Sequence, residues 1–266
     1  MRRIIEHGFI WLVALFMYLP ILVLAVYSFT DSTMIGAIRG FSLDNYATLF
    51  TEPALLSMMG GTVLLAVAVA VLSTILGTCG AIGAFYSKKG MHRFIEVANE
   101  IPVVNADVVT GFSVCILMIA VFHLDKETYI PLVVGQTSLC APFVYLSVLP
   151  RIKQMDPQLY EAALDLGCRP GQALFKVLIP QLFPGIVSGF MTAITLSFDD
   201  YFIATYTKPA TFDTISTYVV NATRGSQTEI KTALWALSAV VFIIVVAAVI
   251  IMNIAPKNTG EKEAAR

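Results

Sequence analysis

Three acidic residues, Asp107, Asp199 and Asp200, lie in stretches of the chain that are otherwise apolar. A charged side chain at the centre of a bilayer costs at least about 2.5–3.5 kcal/mol on insertion scales, so such residues usually have a partner or a function. No Lys or Arg lies deep in these stretches to neutralise them. The acids favour a path for a cationic solute. Hydrogen bonds to nearby polar groups, or a position closer to the membrane surface, would also explain them.

A stripe of polar residues leads up to the second acid: Ser188, Thr192, Thr195 and Asp199 follow one another at spacings of four, three and four. At about 100° per residue these positions share one helix face, and Asp200 points about 100° away from it. A polar face on an apolar helix must meet protein or water. Its hydroxyl groups therefore line a pathway or bond to neighbouring helices.

Aromatic and further acidic residues fit the same chemistry. Tyr201 and Trp235 could hold a cation over a ring, a contact worth about 0.5–2 kcal/mol. Glu96 and Glu100 would share a face with Asp107 if one helix carried all three, and would then extend the acidic path. Acids in water at the membrane edge are an equally good interpretation of these two glutamates.

The composition is that of a membrane protein. The 266 residues are 57% hydrophobic and 13% charged, against about 25% charged in soluble domains. A net charge of -1 gives no reason to expect a nucleic-acid partner. Since a helical span needs about 20 apolar residues, we predict spans at 9–29, 62–87, 101–123, 130–150, 184–206 and 233–254. We expect an all-α membrane protein with one six-helix domain over 1–256 and a disordered tail at 257–266.

Positive charge divides unevenly between the two sides of these spans. With the N-terminus inside, twelve Lys and Arg residues fall on the inner side and five on the outer side. Because cytoplasmic segments carry the excess of positive charge, both termini and the loop 151–183 are predicted to be cytoplasmic. Asp107 then lies nearer the cytoplasm, and Asp199 and Asp200 lie in the outer half, so the acids occupy two depths.

The loop between the fourth and fifth spans predicts two short helices. Asp156-Pro157 suits a helix start, and Gly167 suits its end. Pro170 begins a second short helix, which Pro180 and Pro184 are expected to close. Two small helices joined by a glycine form a knob, and a knob between membrane spans suits the docking of a partner from the water phase.

The sequence offers no catalytic machinery of its own. It contains no Gly-x-x-x-x-Gly-Lys-Ser/Thr phosphate loop, no His-Glu-x-x-His zinc pattern and no Gly-x-Ser-x-Gly elbow. We therefore expect no enzyme activity, no ATPase site and no cofactor, with energy supplied by a docked partner or an ion gradient. The cysteines are scattered and predict packing residues rather than a metal site: Cys79, Cys115, Cys140 and Cys168.

The knob resembles the docking loop of permease subunits in ATP-binding-cassette (ABC) importers. That loop has the pattern Glu-Ala-Ala, three residues, Gly, nine residues, Ile, any residue, Leu-Pro. The matching positions here are Glu161, Ala162, Ala163, Gly167 and Pro180, with Val177 and Ile179 as apolar replacements. The segment 195–200 is also similar to the Leu-Ser-x-Asp-Asp segment of spermidine/putrescine permeases. Asn105-Ala106-Asp107 departs from the Ser-Pro-Asp of that family but keeps the acid.

This resemblance extends from about residue 9 to residue 254 and implies a complete machine. The implied fold is that of a type I ABC importer permease with cytoplasmic coupling helices, in the bacterial plasma membrane. The implied partners are two ATP-binding subunits, which bind the ATP, a second related permease, and an extracytoplasmic substrate-binding protein. The implied cargo is a polyamine, spermidine or putrescine. The alternatives are another small cationic or amino-acid-like solute, an ion-coupled secondary transporter, or an assembly subunit that moves nothing.

Overall fold

The computed structural model describes residues 2–30, 40–125, 127–156, 158–224 and 228–254. Pro157 and the tail 257–266, for which a helix start and disorder were predicted, lie outside these residues. The described part of the chain is helical, and its one isolated β-bridge joins Thr30 to Phe41.

The helices follow one another along the whole described chain. They are α1 Arg2–Ser28, α2 Asp44–Thr51, α3 Pro53–Tyr86, α4 Lys89–Val104, α5 Asp107–Ile116, α6 Ile130–Gln154, α7 Gln158–Asp165, α8 Pro170–Ala173, α9 Ile179–Asp199, α10 Phe202–Thr207, α11 Ile215–Arg224 and α12 Thr228–Ile254. Two π-helical turns extend this set: Leu117–Val121 continues α5, and Leu174–Leu178 joins α8 to α9.

The predicted all-α membrane architecture is confirmed, but the six predicted spans do not appear one for one as continuous helices in the described residues. Four helical stretches there are long and apolar enough to cross a membrane: Phe9–Ser28, Pro53–Tyr86, Ile130–Gln154 and Pro170–Asp199. The bent pair α4 and α5 counts as a fifth if it forms one span, and α12 contributes the shorter apolar segment Ala233–Ile244.

The predicted third span, 101–123, is wrong in its first part. The chain bends by 108° between α4 and α5, at Asn105 and Ala106, whose backbones are extended. Pro102 lies within the last turn of α4, where it removes a backbone donor, and does not begin a span. The Asn105 amide donates to Thr110 Oγ1 at 3.0 Å, which bridges the break.

The predicted fifth span, 184–206, is wrong at both ends. The prolines expected to close the second loop helix do not stop it, because the π-helical turn carries it directly into α9. Pro180 stands in the first turn after that π turn, where its missing N–H is tolerated. At the other end the helix stops at Asp199, Asp200 is extended, and α10 begins two residues later.

The chain packs as two compact units, 1–59 with 218–247 and 60–217 with 248–266. In the first unit the Asn45 amide donates to the carbonyl oxygens of Ser28 and Thr30 at 3.0 and 2.9 Å and so holds α2 to the end of α1. The single six-helix domain over 1–256 stays a prediction.

Helix α6 is the centre of the second unit, and glycines let α3 and α9 approach it closely. A Cβ at Gly77 of α3 would stand 2.7 Å from both the Ala141 oxygen and Val144 Cβ, and one at Gly189 of α9 would stand 2.9 Å from Val144 Cγ1. Gly83, six residues after Gly77 in α3, has nothing within 4 Å of a Cβ built on it.

These contacts predict that Gly77→Ala destabilises the protein while Gly83→Ala does not. The new methyl group at position 77 would overlap backbone atoms of α6, and overpacking of this kind costs about 1–3 kcal/mol. At position 83 the methyl group enters open space and raises helix propensity. Thermal unfolding of the purified proteins in detergent measures the difference, and equal midpoints for the two variants would contradict the close packing of α3 on α6.

Candidate functional site

Asp200, in the break between α9 and α10, is buried, with 7% of its surface exposed. Its two carboxylate oxygens act as acceptors: Oδ1 from the backbone N–H of Ile203, and Oδ2 from the backbone N–H of Ala204, both at 3.0 Å. Gln136 Nε2 of α6 donates to Oδ2 at 2.9 Å. Asp200 thus caps the start of α10 and ties it to α6.

The Gln136 amide is held at both ends, because its Oε1 accepts a hydrogen bond from Ser197 Oγ of α9 at 2.8 Å. All three side chains are buried. We call Ser197, Gln136 and Asp200 the polar triad; it joins α9, α6 and α10. Sequence reasoning missed this role for Gln136 and Ser197, although Ser197 stands one helical turn before Asp200.

Helix α10 in turn fits against two glycines. A Cβ at Gly111 of α5 would stand 2.9 Å from the Ile203 Cα, and one at Gly135 of α6 would stand 2.7 Å from Ile203 Cγ2. This contact positions the start of α5, where Asp107 lies in the first turn, one turn before Gly111.

Asp107 is exposed and lies within electrostatic reach of Asp200. The expectation that the acids occupy two depths in the membrane stays a prediction.

Asp199 is exposed, whereas its neighbour Asp200 is buried, because the helix ends between them. The three residues of the stripe that leads to Asp199 are half-buried. Thr192 Oγ1 donates to the backbone carbonyl oxygen of Ser188 at 2.9 Å, and Thr195 Oγ1 donates to that of Met191 at 3.0 Å. Both hydroxyl protons are thus used within α9, while the oxygen lone pairs remain to accept hydrogen bonds.

The aromatic candidates fall in different units. Tyr201 immediately follows Asp200, is half-buried and has its ring centroid 5.3 Å from that of Phe202. Trp235 belongs to the first unit, where its ring centroid lies 4.5 Å from that of Tyr27. A part for either ring in a pathway stays a prediction.

The knob has the glycine turn that the sequence predicted. Gly167 has φ +86°, in the left-handed region that favours glycine, and its N–H donates to the Leu164 oxygen at 2.9 Å. The Cys168 N–H closes a wider turn on the Ala163 oxygen at 3.0 Å. The helix before it ends at Asp165, one residue earlier than predicted.

The surface of the knob combines acidic groups, among them Glu161, with apolar side chains. Glu161, Ala162 and Pro180 are exposed, and Ala163 is buried. Leu166 is 87% exposed. Large apolar groups on a water-facing loop are typical of a docking surface.

The described residues contain no group of three His, Cys, Asp or Glu side chains placed to hold a metal ion. The four cysteines are free thiols.

Comparison with known proteins places the chain in a family. Residues 1–258 match the family described as the binding-protein-dependent transport system inner membrane component. The chain belongs to this family. The permease is 30% identical over 226 residues to the putrescine transport system permease protein PotI of Escherichia coli (strain K12), a match that covers 81% of this chain and 79% of PotI. It is 25% identical over 262 residues to the spermidine/putrescine transport system permease protein PotC of the same strain, covering 97% and 98%.

Solved structures show the same fold. The crystal structure of a bacterial ABC transporter involved in the import of the acidic polysaccharide alginate aligns with a TM-score of 0.70 at 20% identity, covering 95% of this chain and 94% of that one. The resemblance to ABC importer permeases and the type I permease fold are confirmed. The chain is a permease subunit of an ABC importer, an inner-membrane component that works with a binding protein.

The polar triad predicts different outcomes for two neighbouring, chemically identical substitutions. Asp200→Asn replaces one acceptor oxygen with a donor facing backbone N–H groups or the Gln136 amide, so we expect a loss of about 2–4 kcal/mol of stability. Asp199→Asn is the matched control, because that side chain is exposed, and should change stability by less than about 0.5 kcal/mol. Thermal unfolding in detergent compares them; an Asp200→Asn variant as stable as the control would show that the triad does not hold α10.

Proposed function

We propose that this permease moves polyamines, spermidine or putrescine, as the membrane subunit of an ATP-driven importer. The observation that supports this most directly is the pair of exposed acids, Asp107 and Asp199. Neither has a Lys, Arg or His side chain within 4 Å among the described residues, and both lie at the ends of apolar helices. The names of the relatives PotI and PotC point to the same cargo.

The fold alone does not decide the cargo, since a transporter of an acidic polysaccharide has it too. The charge of the residues in the predicted spans distinguishes an anionic cargo from a cationic one. An anionic cargo would favour Arg or Lys in the path, and the predicted spans carry none at depth. A polyamine carries ammonium groups separated by methylenes, so it suits acids spaced along an apolar path. Attraction must stay modest, because a tightly held cargo would not leave. Another small cationic or amino-acid-like solute remains the nearest rival.

Energy coupling in this proposal runs through the knob at 156–180. The knob is cytoplasmic, as are both termini, and fits a groove on one of two partner ATPases that bind the ATP. A second, related permease supplies the other half of the path, and a binding protein delivers cargo from outside. ATP shifts the balance between states only if the contacts of the knob differ between them. An ion-coupled secondary transporter would give no reason for this surface.

The cargo proposal predicts the effect of neutralising the exposed acids. Asp107→Asn and Asp199→Asn should each lower polyamine uptake, because each removes an attraction for ammonium groups, and lower it more than they lower assembly or basal ATP hydrolysis. Labelled spermidine and putrescine uptake into vesicles containing the intact importer measures this, with complex abundance quantified alongside. Asp44→Asn, at the exposed first residue of α2, serves as the control. Unchanged uptake in the double variant would remove both acids from the path.

The coupling proposal predicts that Gly167→Val separates transport from membrane insertion. A β-branched residue cannot adopt the left-handed φ of +86° without strain, so the surface of the knob should be distorted. Gly90→Val is the matched control, because that glycine lies in α4, outside the knob, with open space around it and no positive φ. We expect weaker co-purification of the ATPase and lower uptake only for Gly167→Val. Normal co-purification and uptake for this variant would contradict coupling through the knob.

A further inference from the structure

Helix α4 turns its apolar side outward. Its exposed large side chains recur every three or four residues and form one stripe: Met91, Phe94, Val97, Ile101 and Val104. A helix in this orientation suits contact with lipid on that stripe. Glu96, Asn99 and Glu100 lie on the opposite side of the helix, where Glu96 and Asn99 are half-buried and Glu100 is exposed.

An open cavity of about 100 Å³ lies where this polar side meets α6. From α4 it is lined by Glu96, Asn99, Glu100, Val103 and Val104, the last of which is also the end of the apolar stripe, and from α6 by Tyr145, Leu146 and Leu149. The cavity thus combines carboxylates with apolar walls, which is an arrangement typical of small-molecule sites with a few placed polar groups.

The hydroxyl of Tyr145, one of the residues that line the cavity, is a second and independent polar feature of this site. The residue is 2% exposed, and its hydroxyl oxygen has no hydrogen-bond partner among the described residues. The hydroxyl lies within electrostatic reach of both Glu96 and Glu100. A buried hydroxyl is normally hydrogen-bonded, so an unpartnered one at the wall of a cavity calls for a ligand that can bond to it.

The other polar groups of the cavity leave acceptors open. Asn99 Nδ2 donates to the Ile95 oxygen at 2.9 Å, so its carbonyl oxygen remains available. Glu96 lies 3.4 Å from His92 Nε2, and His92 Nδ1 contacts the Ala84 oxygen at 2.8 Å. Glu100 has no Lys, Arg or His within 4 Å in the part of the chain that the structure describes.

We propose that this cavity binds a primary ammonium end of an alkyl polyamine, an inference that rests on the proposed function. The ammonium group has three donors, which match the carboxylates of Glu96 and Glu100 and the oxygen of Tyr145. The methylene chain lies against Leu146 and Leu149. The cavity is a second binding site for the cargo. It is close to Asp107 along the chain, because α4 ends at Val104, three residues before that acid.

Proximity coupling tests the site in the intact importer. A water-soluble carbodiimide condenses a carboxylate with an amine, forming an amide and converting the carbodiimide to a urea, so bound putrescine is captured on the acids that hold it. With isotopically labelled putrescine and peptide mass spectrometry, adducts on Glu96 and Glu100 should saturate as the putrescine concentration rises. The exposed Glu52 is the control, and its adducts should rise in proportion to concentration.

The Tyr145→Phe variant separates a ligand site from a packing role. Loss of the hydroxyl should raise the half-saturating putrescine concentration about tenfold, because a hydrogen bond to a charged group is lost. The variant keeps the ring and removes an unpaired polar atom, so it should fold normally. Tyr129→Phe, at an exposed tyrosine before α6, should leave the curve unchanged. Adducts on Glu96 and Glu100 that rise like those on Glu52, or a Tyr145→Phe curve that matches wild type, would overturn the proposal.

Uptake measured on the same preparation tests polyamine transport separately from ligand binding in the cavity. Polyamine uptake without saturable adducts would reject the cavity and leave the proposed function standing. Saturable adducts without spermidine or putrescine uptake would reject polyamine transport, while the ammonium site would remain.

Discussion

The second unit depends on the buried carboxylate of Asp200. It accepts three hydrogen bonds, two from the first backbone N–H groups of α10 and one from Gln136. Without it, the break after α9 would leave backbone donors unpaired in an apolar setting, at a cost of several kcal/mol. Because Ile203 then packs against Gly111, the same carboxylate indirectly sets the position of α5 and of Asp107.

Two adjacent acids thus have different surroundings. The carboxylate oxygens of Asp200 accept hydrogen bonds from protein groups, so Asp200 is a positioning residue. Asp199 is exposed, at the end of a half-buried polar stripe. Asp107 is exposed at a second helix break, the one before α5. Broken helices at membrane depth are tolerated where they are buried in protein or line a path. The proposed path therefore runs past the two breaks, with the cavity between α4 and α6 as its continuation.

The sequence predicted much of this, for identifiable reasons. Apolar length predicted membrane helices, Gly167 predicted the turn in the knob, and a five-position motif predicted the family, which is confirmed. The breaks were missed because residues 101–123 and 184–206 are mostly apolar along their whole length. The break after α9 involves a side chain distant in sequence, because Gln136 bonds Asp200. The burial of Asp200, which sets it apart from Asp107 and Asp199, was not predicted for the same reason, since burial is a tertiary property. The prediction that the second loop helix closes at Pro180 was wrong. Pro180 follows the π-helical turn and lies in the first turn of α9, where its missing N–H is tolerated.

The central claim is that Asp107 and Asp199 are free for cargo while Asp200 is committed to the fold. An electron cryo-microscopy structure of the assembled importer with spermidine bound in the membrane tests it most directly. We expect an ammonium group within hydrogen-bonding distance of the Asp107 or Asp199 carboxylate, with the Asp200 to Gln136 bond intact. Spermidine held by an Asp200 that has left Gln136, with Asp107 and Asp199 turned away from it, would contradict the account.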